Sequence, residues 1–128
     1  MLKIVDVHLS ATVNGEYVVL QNQGLTTIPL RGWILTTDDY VLDDLATVAD
    51  AMYVFRDDVL IKPYGRVVLF SGLGQNGWCP TTDGKSAFVA HWGRLDPVWA
   101  RSGRVVLLQP ACSRRIGIPS EVSPTPTL

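Results

Sequence analysis

The chain has 128 residues, a length that suits one domain, and 47% of them are hydrophobic while only 18% are charged. An ordinary soluble domain carries about 25% charged residues, so this composition predicts a large apolar core and an apolar patch on the surface. With 11 Lys and Arg against 12 Asp and Glu, the net charge of −1 excludes a bulk electrostatic attraction to nucleic acid or anionic lipid.

The sequence carries no sign of membrane insertion or export. No apolar run approaches the roughly 20 residues that a membrane-spanning helix needs. Asp6 and His8 interrupt the apolar start of the chain, which therefore lacks the core of a signal peptide. We expect a cytoplasmic protein, or an extracellular one if a signal peptide was removed. The two cysteines, Cys79 and Cys112, are too few for a disulfide framework, and the sequence leaves open whether they pair.

The first part of the chain predicts three strands. Residues 3–9 alternate between apolar and polar side chains, the period of a half-buried strand. Asn14-Gly15 predicts a two-residue hairpin turn that leads into a strand over 17–21. A third strand is predicted to begin at Pro29, with Gly32 marking a bulge or a close approach of the backbone.

Residues 38–52 depart from this β pattern. Apolar residues recur there at helical spacing around the pair Asp43-Asp44, whose carboxylates suit the positive end of a helix dipole. We expect a short helix near residues 43–51. The β pattern resumes at Tyr53, and residues 66–71 are apolar enough for a central strand covered on both faces.

The remaining third of the chain predicts a loop, two strands and a tail. Glycine, proline and asparagine make 72–85 loop-like, whereas 86–92 and 104–109 are predicted strands. Beyond the last strand the apolar period is lost, so we expect a domain over 1–112 and a tail or linker over 113–128. About seven to nine short strands separated by turn signals predict an all-β fold, an antiparallel sandwich or a barrel.

Five segments follow one another in a recognisable order. They are Glu16–Gly24, Pro29–Leu35, Tyr53–Phe55, Leu60–Phe70 and Val98–Leu108. In this order they resemble the lamin tail domain family, most specifically in the Gly32-Trp33 pair and in Trp99 followed by Ser102-Gly103. The resemblance covers most of the chain up to residue 110 and implies an immunoglobulin-like antiparallel β-sandwich. Because no coiled-coil rod precedes the domain, the chain is more similar to prokaryotic, bacterial members than to nuclear lamins.

The sequence departs from the family pattern in three places. Residues 38–52 are longer than the usual link, 72–97 form an extended loop that holds Trp78 and Trp92, and Cys112 stands where a small turn is expected. What the resemblance implies is a non-catalytic structural or interaction module, and it transfers no catalytic residue, metal ligand or cofactor to this chain.

Four residues are candidates for a binding site. Trp78 and Trp92 flank the loop, where an exposed tryptophan would anchor a partner or offer a platform to a sugar or a base. Packing over the end of the sandwich is their alternative interpretation. Arg101 and Arg104, together with Arg114-Arg115, could contact phosphates. Since the net charge is −1, however, solvated faces or salt bridges are the expected role of these arginines.

Other conspicuous residues have simpler interpretations. His8 and His91, the only histidines, are predicted in strands, and the Gly-x-Ser-x-Gly motif does not occur, so we expect no enzymatic activity. Paired aspartates such as Asp57-Asp58 are expected in turns, with calcium binding as the alternative. Trp33 and Trp99 are expected in the core.

These observations together predict a non-catalytic interaction or assembly module. It would bind a protein partner, or a second copy of itself as a homodimer, through an exposed sheet edge or the Trp78–Trp92 loop. The first alternative is a module for a carbohydrate or another extracellular ligand, which would fit a Cys79–Cys112 disulfide. The second is weak nucleic-acid binding, although a nucleic acid is not expected as the main partner. No cofactor and no metal are expected, and the sequence leaves the identity of the partner open.

Overall fold

Ten short β-strands make up the described part of the chain, which comprises residues 1–37, 52–101 and 104–110 of a computed structural model. In chain order they are β1 Leu2–His8, β2 Tyr17–Asn22, β3 Ile28–Pro29, β4 Ile34–Thr37, β5 Tyr53–Val54, β6 Leu60–Ile61, β7 Arg66–Phe70, β8 Gly77–Pro80, β9 Ser86–His91 and β10 Val105–Leu108. The predicted all-β fold is thereby confirmed. The helix predicted near 43–51 and the tail over 113–128 lie outside the described residues. Within the described ranges, no helix has the length and apolarity needed to cross a membrane.

The strands form one large sheet and two small ones. The large sheet has the order β1-β2-β7-β9-β8, the second has the order β10-β4-β5, and β3 pairs with β6. All neighbouring strands are antiparallel except β7 and β9, which run parallel. The purely antiparallel arrangement predicted from the sequence is therefore wrong at this pair. The reason is that β8 runs back along the outside of the sheet and β9 fills the gap between β7 and β8.

The core lies between the large sheet and the smaller ones. Val18 and Leu20 of β2 are opposite Leu69 and Val67 of β7, and all four are fully buried. Residues from the other layer complete the cluster, among them Leu30, Trp33, Leu35, Phe55, Ile61 and Trp99. Each such side chain contributes about 1.5–3 kcal/mol on burial. The prediction that Trp33 and Trp99 are core residues is confirmed, although neither lies in a strand: Trp33 directly precedes β4, and Trp99 lies in the 3₁₀ turn Trp99–Arg101.

The connections near the start of the chain differ from the predicted ones. β1 and β2 do form a hairpin, but a 3₁₀ turn at Val13–Gly15 lies within a longer connection in place of a two-residue turn. The strand predicted from Pro29 is divided into β3 and β4. Gly32 causes the division, because its φ of +92° turns the chain out of the extended conformation and its N–H donates to the carbonyl oxygen of Phe55 at 2.8 Å.

Three further differences concern the large sheet. β7 is central as predicted, but only one face of it is buried, since Val68 and Phe70 on the other face are half-buried. β8 lies within the range 72–85 that was predicted as loop. In β1, a bulge between Ile4 and Asp6 interrupts the alternation and leaves Val5 43% exposed.

Candidate functional site

Trp78 lies on β8, the strand at one edge of the large sheet. Its indole ring is 50% exposed and packs edge-on against the ring of Phe88, with the ring centroids 5.5 Å apart. Phe88 is opposite Trp78 in the β8–β9 register and belongs to the core. The tryptophan predicted as a site residue therefore extends the core to the edge of the sheet and leaves half of its surface to solvent.

The hairpin that joins β8 to β9 is fixed by its own polar residues. The Thr81 N–H donates to the Lys85 carbonyl at 2.8 Å, and Asp83 accepts hydrogen bonds from the Thr81 hydroxyl and, at 3.2 Å, from the Lys85 N–H. Both hydrogen bonds lower the pKa of the Asp83 carboxyl, and the bond from the Thr81 hydroxyl has a larger effect than the bond from the Lys85 N–H. This carboxylate is consequently engaged inside the turn, and the hairpin holds Trp78 in place.

A groove of about 740 Å³ lies beside β8, between this hairpin and the turn that joins β6 to β7. We call it the β8 groove. Its walls hold three large exposed hydrophobic residues, namely Leu60 (62% exposed), Tyr64 (62%) and Trp78. Three cations, Lys62, Arg66 and Lys85, and one anion, Asp83, also line it. Sequence reasoning identified Trp78 but missed the other six residues. The only signal for them was the Pro63-Tyr64-Gly65 turn, which was predicted as a turn and not as part of a site.

The wall opposite β8 is held by Asn22, a buried residue at the end of β2. Its side-chain amide donates to the carbonyl oxygens of Thr26 and Ile61 at 2.8 and 2.9 Å, and its backbone carbonyl accepts the Tyr64 N–H at 2.6 Å. Tyr64 has a φ of +65°, which is unusual for a residue other than glycine. Backbone conformations of this kind persist where the surroundings fix them, and they cluster at ligand-binding sites.

Trp92 belongs to a different aromatic cluster. Its ring packs against those of Tyr53 and Trp99, each 5.5 Å away between centroids, and the Arg94 guanidinium lies 5.4 Å from it. Burial raises the pKa of the Tyr53 hydroxyl in this cluster. Trp92 is half-buried there, so the structure places the two predicted tryptophans in separate clusters, and only Trp78 lines the β8 groove.

Of the predicted arginines, the structure describes the side chain of Arg104 only, and Arg104 does not line this groove. Arg104 is exposed immediately before β10, in the smaller sheet. Arg101 ends the 3₁₀ turn Trp99–Arg101, and its side chain, like the whole of Arg114-Arg115, lies outside the described residues. Weak nucleic-acid binding would require these arginines to converge on one face, and that alternative stays untested.

Glu16 is a buried carboxylate that the sequence did not single out as a buried group. It is fully buried, and its Oε1 atom accepts hydrogen bonds from the Ser71 hydroxyl at 2.6 Å and from the N–H groups of Val98 and Trp99 at 2.7 and 3.1 Å. Its Oε2 atom accepts the Ala100 N–H at 3.0 Å. These four donors satisfy both oxygens of Glu16 and attach the 3₁₀ turn to the start of β2, so the Glu16 carboxylate has a structural role.

Four rings form a row on the outer face of the large sheet. His8, Tyr17, Phe70 and His91 follow one another across β1, β2, β7 and β9, with centroid separations of 4.8, 5.4 and 5.4 Å. Both histidines lie in strands, as predicted. The Nδ1–H of His8 donates to the Gly15 carbonyl at 2.8 Å, and the buried Nδ1 of His91 has no hydrogen-bond partner among the described residues. The row covers the outer face at the end of the sheet opposite the β8 groove.

The paired aspartates Asp57-Asp58 make hydrogen bonds and an ion pair with other side chains. Asp57 accepts a hydrogen bond from Asn76 at 3.0 Å, and Asp58 forms an exposed ion pair with Arg31 at 3.1 Å. In the described part of the chain, no group of three or more His, Cys, Asp or Glu residues is arranged to hold a metal ion. The Cys79 thiol is exposed on β8. Cys112 lies outside the described residues, so the question of a disulfide stays open.

In comparisons with known proteins, the chain matches no protein-family model, and no curated protein matches it by sequence. The assignment to the lamin tail domain therefore stays a prediction from the segments quoted above. The site has to be interpreted from its own geometry.

Proposed function

We propose that the chain is a non-catalytic interaction module, an immunoglobulin-like β-sandwich of the lamin tail type, that binds an extended segment of a protein partner along β8. One observation carries this proposal: a half-exposed tryptophan, Trp78, stands on an edge strand and lines a groove of about 740 Å³. Large exposed aromatic residues at the centre of a concave surface are the residues that contribute most to protein–protein affinity.

The edge of β8 supplies the second element of recognition. A strand at the edge of a sheet presents unpaired N–H and C=O groups, which an extended peptide can satisfy by adding a strand. β8 has four residues and ends at Pro80, which has no N–H, so the added strand would be short. The side chains of the partner must therefore contribute much of the affinity through the β8 groove.

The other sheet edges are less suited to this role. β1 carries the bulge between Ile4 and Asp6, a feature that discourages pairing with another strand. β5 has only two residues, and β10 lies in contact with β1. Of the edge strands β1, β5, β8 and β10, only β8 contributes residues to the β8 groove.

The proposal is tested by selecting binders from a displayed library of random short peptides. The wild-type chain is expected to enrich peptides that lose binding to the variant Trp78→Ala. The matched control is Leu95→Ala, which removes an apolar side chain that is 81% exposed and lies outside the β8 groove. Peptides that bind wild type and both variants equally, or the absence of any enriched peptide, would contradict the proposal.

A second copy of the chain is one form that the partner could take. Two β8 edges can pair about a two-fold axis, which is the commonest symmetry of homodimers. Light scattering on a size-exclusion column at two protein concentrations, under reducing conditions, tests this. A dimer that Trp78→Ala dissociates would identify the second copy as the partner, whereas a monomer at both concentrations assigns the edge to another protein.

A carbohydrate ligand is the second candidate, because both Trp78 and Tyr64 line the groove with exposed rings. Aromatic rings of this kind can stack on the apolar faces of sugars. Wild type and Trp78→Ala are compared on an array of immobilised glycans. Binding of a glycan by wild type alone would favour this function over peptide binding.

A further inference from the structure

The β8 groove has a positive charge that the chain as a whole lacks. Lys62, Arg66 and Lys85 face one acidic residue, Asp83, so the formal charge of the lining is three positive minus one negative, or +2. The whole chain has a net charge of −1. The excess of cations is therefore a local property of the groove.

The single anion of the groove is already engaged. Asp83 accepts the Thr81 hydroxyl and the Lys85 N–H, and the nearby Lys85 ammonium further lowers its pKa. Lys62 and Arg66 form no salt bridge with another of the described residues. Lys62 directly precedes the turn that holds Tyr64, Arg66 begins β7 directly after it, and the exposed Tyr64 ring lines the same groove. Cations without a protein partner, placed next to exposed apolar side chains, favour a ligand that is both anionic and apolar.

We infer that the segment bound along β8 is an acidic peptide, with Asp or Glu side chains facing Lys62, Arg66 and Lys85 and an apolar side chain packed between Leu60 and Trp78. This inference rests on the proposed function, since it specifies the partner of the same site. In an extended peptide successive side chains point to opposite sides, so alternating acidic and apolar residues would meet both the cationic and the apolar parts of the lining.

A single-stranded nucleic acid could also use cations and aromatic rings. Two observations favour an acidic peptide over a nucleic acid as the ligand. The edge of β8 offers backbone groups that pair with a peptide backbone, and a nucleic acid has no corresponding row of groups. The chain is also net negative, which opposes a long polyanion more than it opposes a short acidic segment.

The probes are three fluorescein-labelled peptides of about six residues, the usual length of a strand, in which valine alternates with glutamate, serine or lysine. Fluorescence anisotropy measures their affinity for the full chain at low and high salt. The glutamate peptide is expected to bind most tightly and to weaken as salt rises, because exposed ion pairs are screened. The lysine peptide is expected not to bind.

Charge reversal tests the groove directly. The triple variant Lys62→Glu, Arg66→Glu and Lys85→Glu should weaken the glutamate peptide by about tenfold to a hundredfold, since each exposed ion pair contributes up to a few-fold in affinity. Lys3→Glu, a reversal at an exposed cation of β1 outside the groove, is the matched control and should have little effect.

The outcomes separate this inference from the proposed function. Peptides that depend on Trp78 but show no preference for acidic residues and no response to the triple variant would overturn the inference and leave the proposed function intact. Tighter binding of a fluorescein-labelled single-stranded oligonucleotide than of the glutamate peptide, abolished by the triple variant, would also overturn it. Absence of any peptide that depends on Trp78 would overturn both.

Discussion

Replacing Glu16 tests how much of the fold depends on one buried carboxylate. The side chain joins three distant parts of the chain: the start of β2, Ser71 after β7, and the backbone of Val98, Trp99 and Ala100. All four donors point at two oxygen atoms that water does not reach. The informative substitutions are Glu16→Gln, which keeps the shape, and Glu16→Ala, which removes every acceptor.

The expected losses follow from the hydrogen bonds. Glu16→Ala leaves the Ser71 hydroxyl and the N–H groups of Val98 and Trp99 buried without an acceptor. Each such donor costs about 1–3 kcal/mol, so the expected loss of unfolding free energy is about 3 kcal/mol or more. Glu16→Gln keeps one oxygen for these three donors but turns an amide N–H₂ toward the Ala100 N–H. The loss of one charge-assisted bond corresponds to about 1.5–3 kcal/mol.

The assay is urea unfolding followed by tryptophan fluorescence, to which Trp99, one of the residues bound by the carboxylate, contributes. Ser71→Ala removes a single donor and is expected to cost about 1 kcal/mol. Asp6→Ala, at an exposed position of β1, should stay within about 0.5 kcal/mol of wild type. The predicted order of stability is therefore wild type and Asp6→Ala, then Ser71→Ala, Glu16→Gln and Glu16→Ala.

If Glu16→Gln unfolds at the same urea concentration as wild type, and its free energy of unfolding depends on urea with the same slope, the Glu16 charge does not stabilise the fold. A change in that dependence would instead mean a change in the surface exposed on unfolding. Since domains of this size have about 5–15 kcal/mol of stability in total, Glu16→Ala is expected to remain folded only marginally.

Three further predictions concern other parts of the sandwich. Trp78→Ala should cost less than about 1 kcal/mol because half of the ring is exposed, whereas Trp99→Ala, in the core, should cost about 3–5 kcal/mol in the same urea experiment. Gly32→Ala should cost about 1–2 kcal/mol, because φ is +92° and a Cβ would lie 3.2 Å from a proline ring carbon. Gly77→Ala, with nothing within 4 Å of the added carbon, should cost little. Burial raises the pKa of Tyr53 above its ordinary value of 10.0 in the folded state. The unfolded tyrosine therefore ionises first, and the wild-type free energy of unfolding falls as the pH rises from 10 to the raised pKa. Tyr53→Phe should then lose less stability than wild type between pH 10 and the raised pKa, as measured by urea unfolding at successive pH values.

The strands that the sequence predicted well are those with four or more apolar or alternating residues. β2, β7, β9 and β10 all follow such runs, and their bounds agree with the predicted ones to within a residue or two. β8 has no such run. Its residues are Gly77, Trp78, Cys79 and Pro80, and two of these four types are rare in strands, so local pattern favoured a loop. It becomes a strand because β9 supplies a partner.

The order of strands in the large sheet could not be predicted from local sequence patterns, for a related reason. A hairpin signal predicts that neighbours in sequence pair with each other, and this holds for β1–β2 and β8–β9. The parallel pair β7–β9 forms because β9 lies between β7 and β8, and this position depends on the packing of the whole sandwich and not on local sequence. The β8 groove has the same origin, since Lys62 and Lys85, which are distant in sequence, both line it in the folded sheet.

One of the segments that resemble the lamin tail domain contains Asn22, which supports one wall of the groove without lining it. Asn22 fixes the turn at Tyr64 through the Ile61 carbonyl and the Tyr64 N–H, and Lys62 and Arg66 flank this turn. A substitution of Asn22 would therefore reduce partner binding by displacing that wall, and the effect could not be told from loss of a contact. Trp78 stands on the opposite wall, outside those segments, and its half-exposed ring can be removed with little loss of stability. A substitution of Trp78 therefore distinguishes a binding module from a purely structural one, whereas a substitution of Asn22 does not.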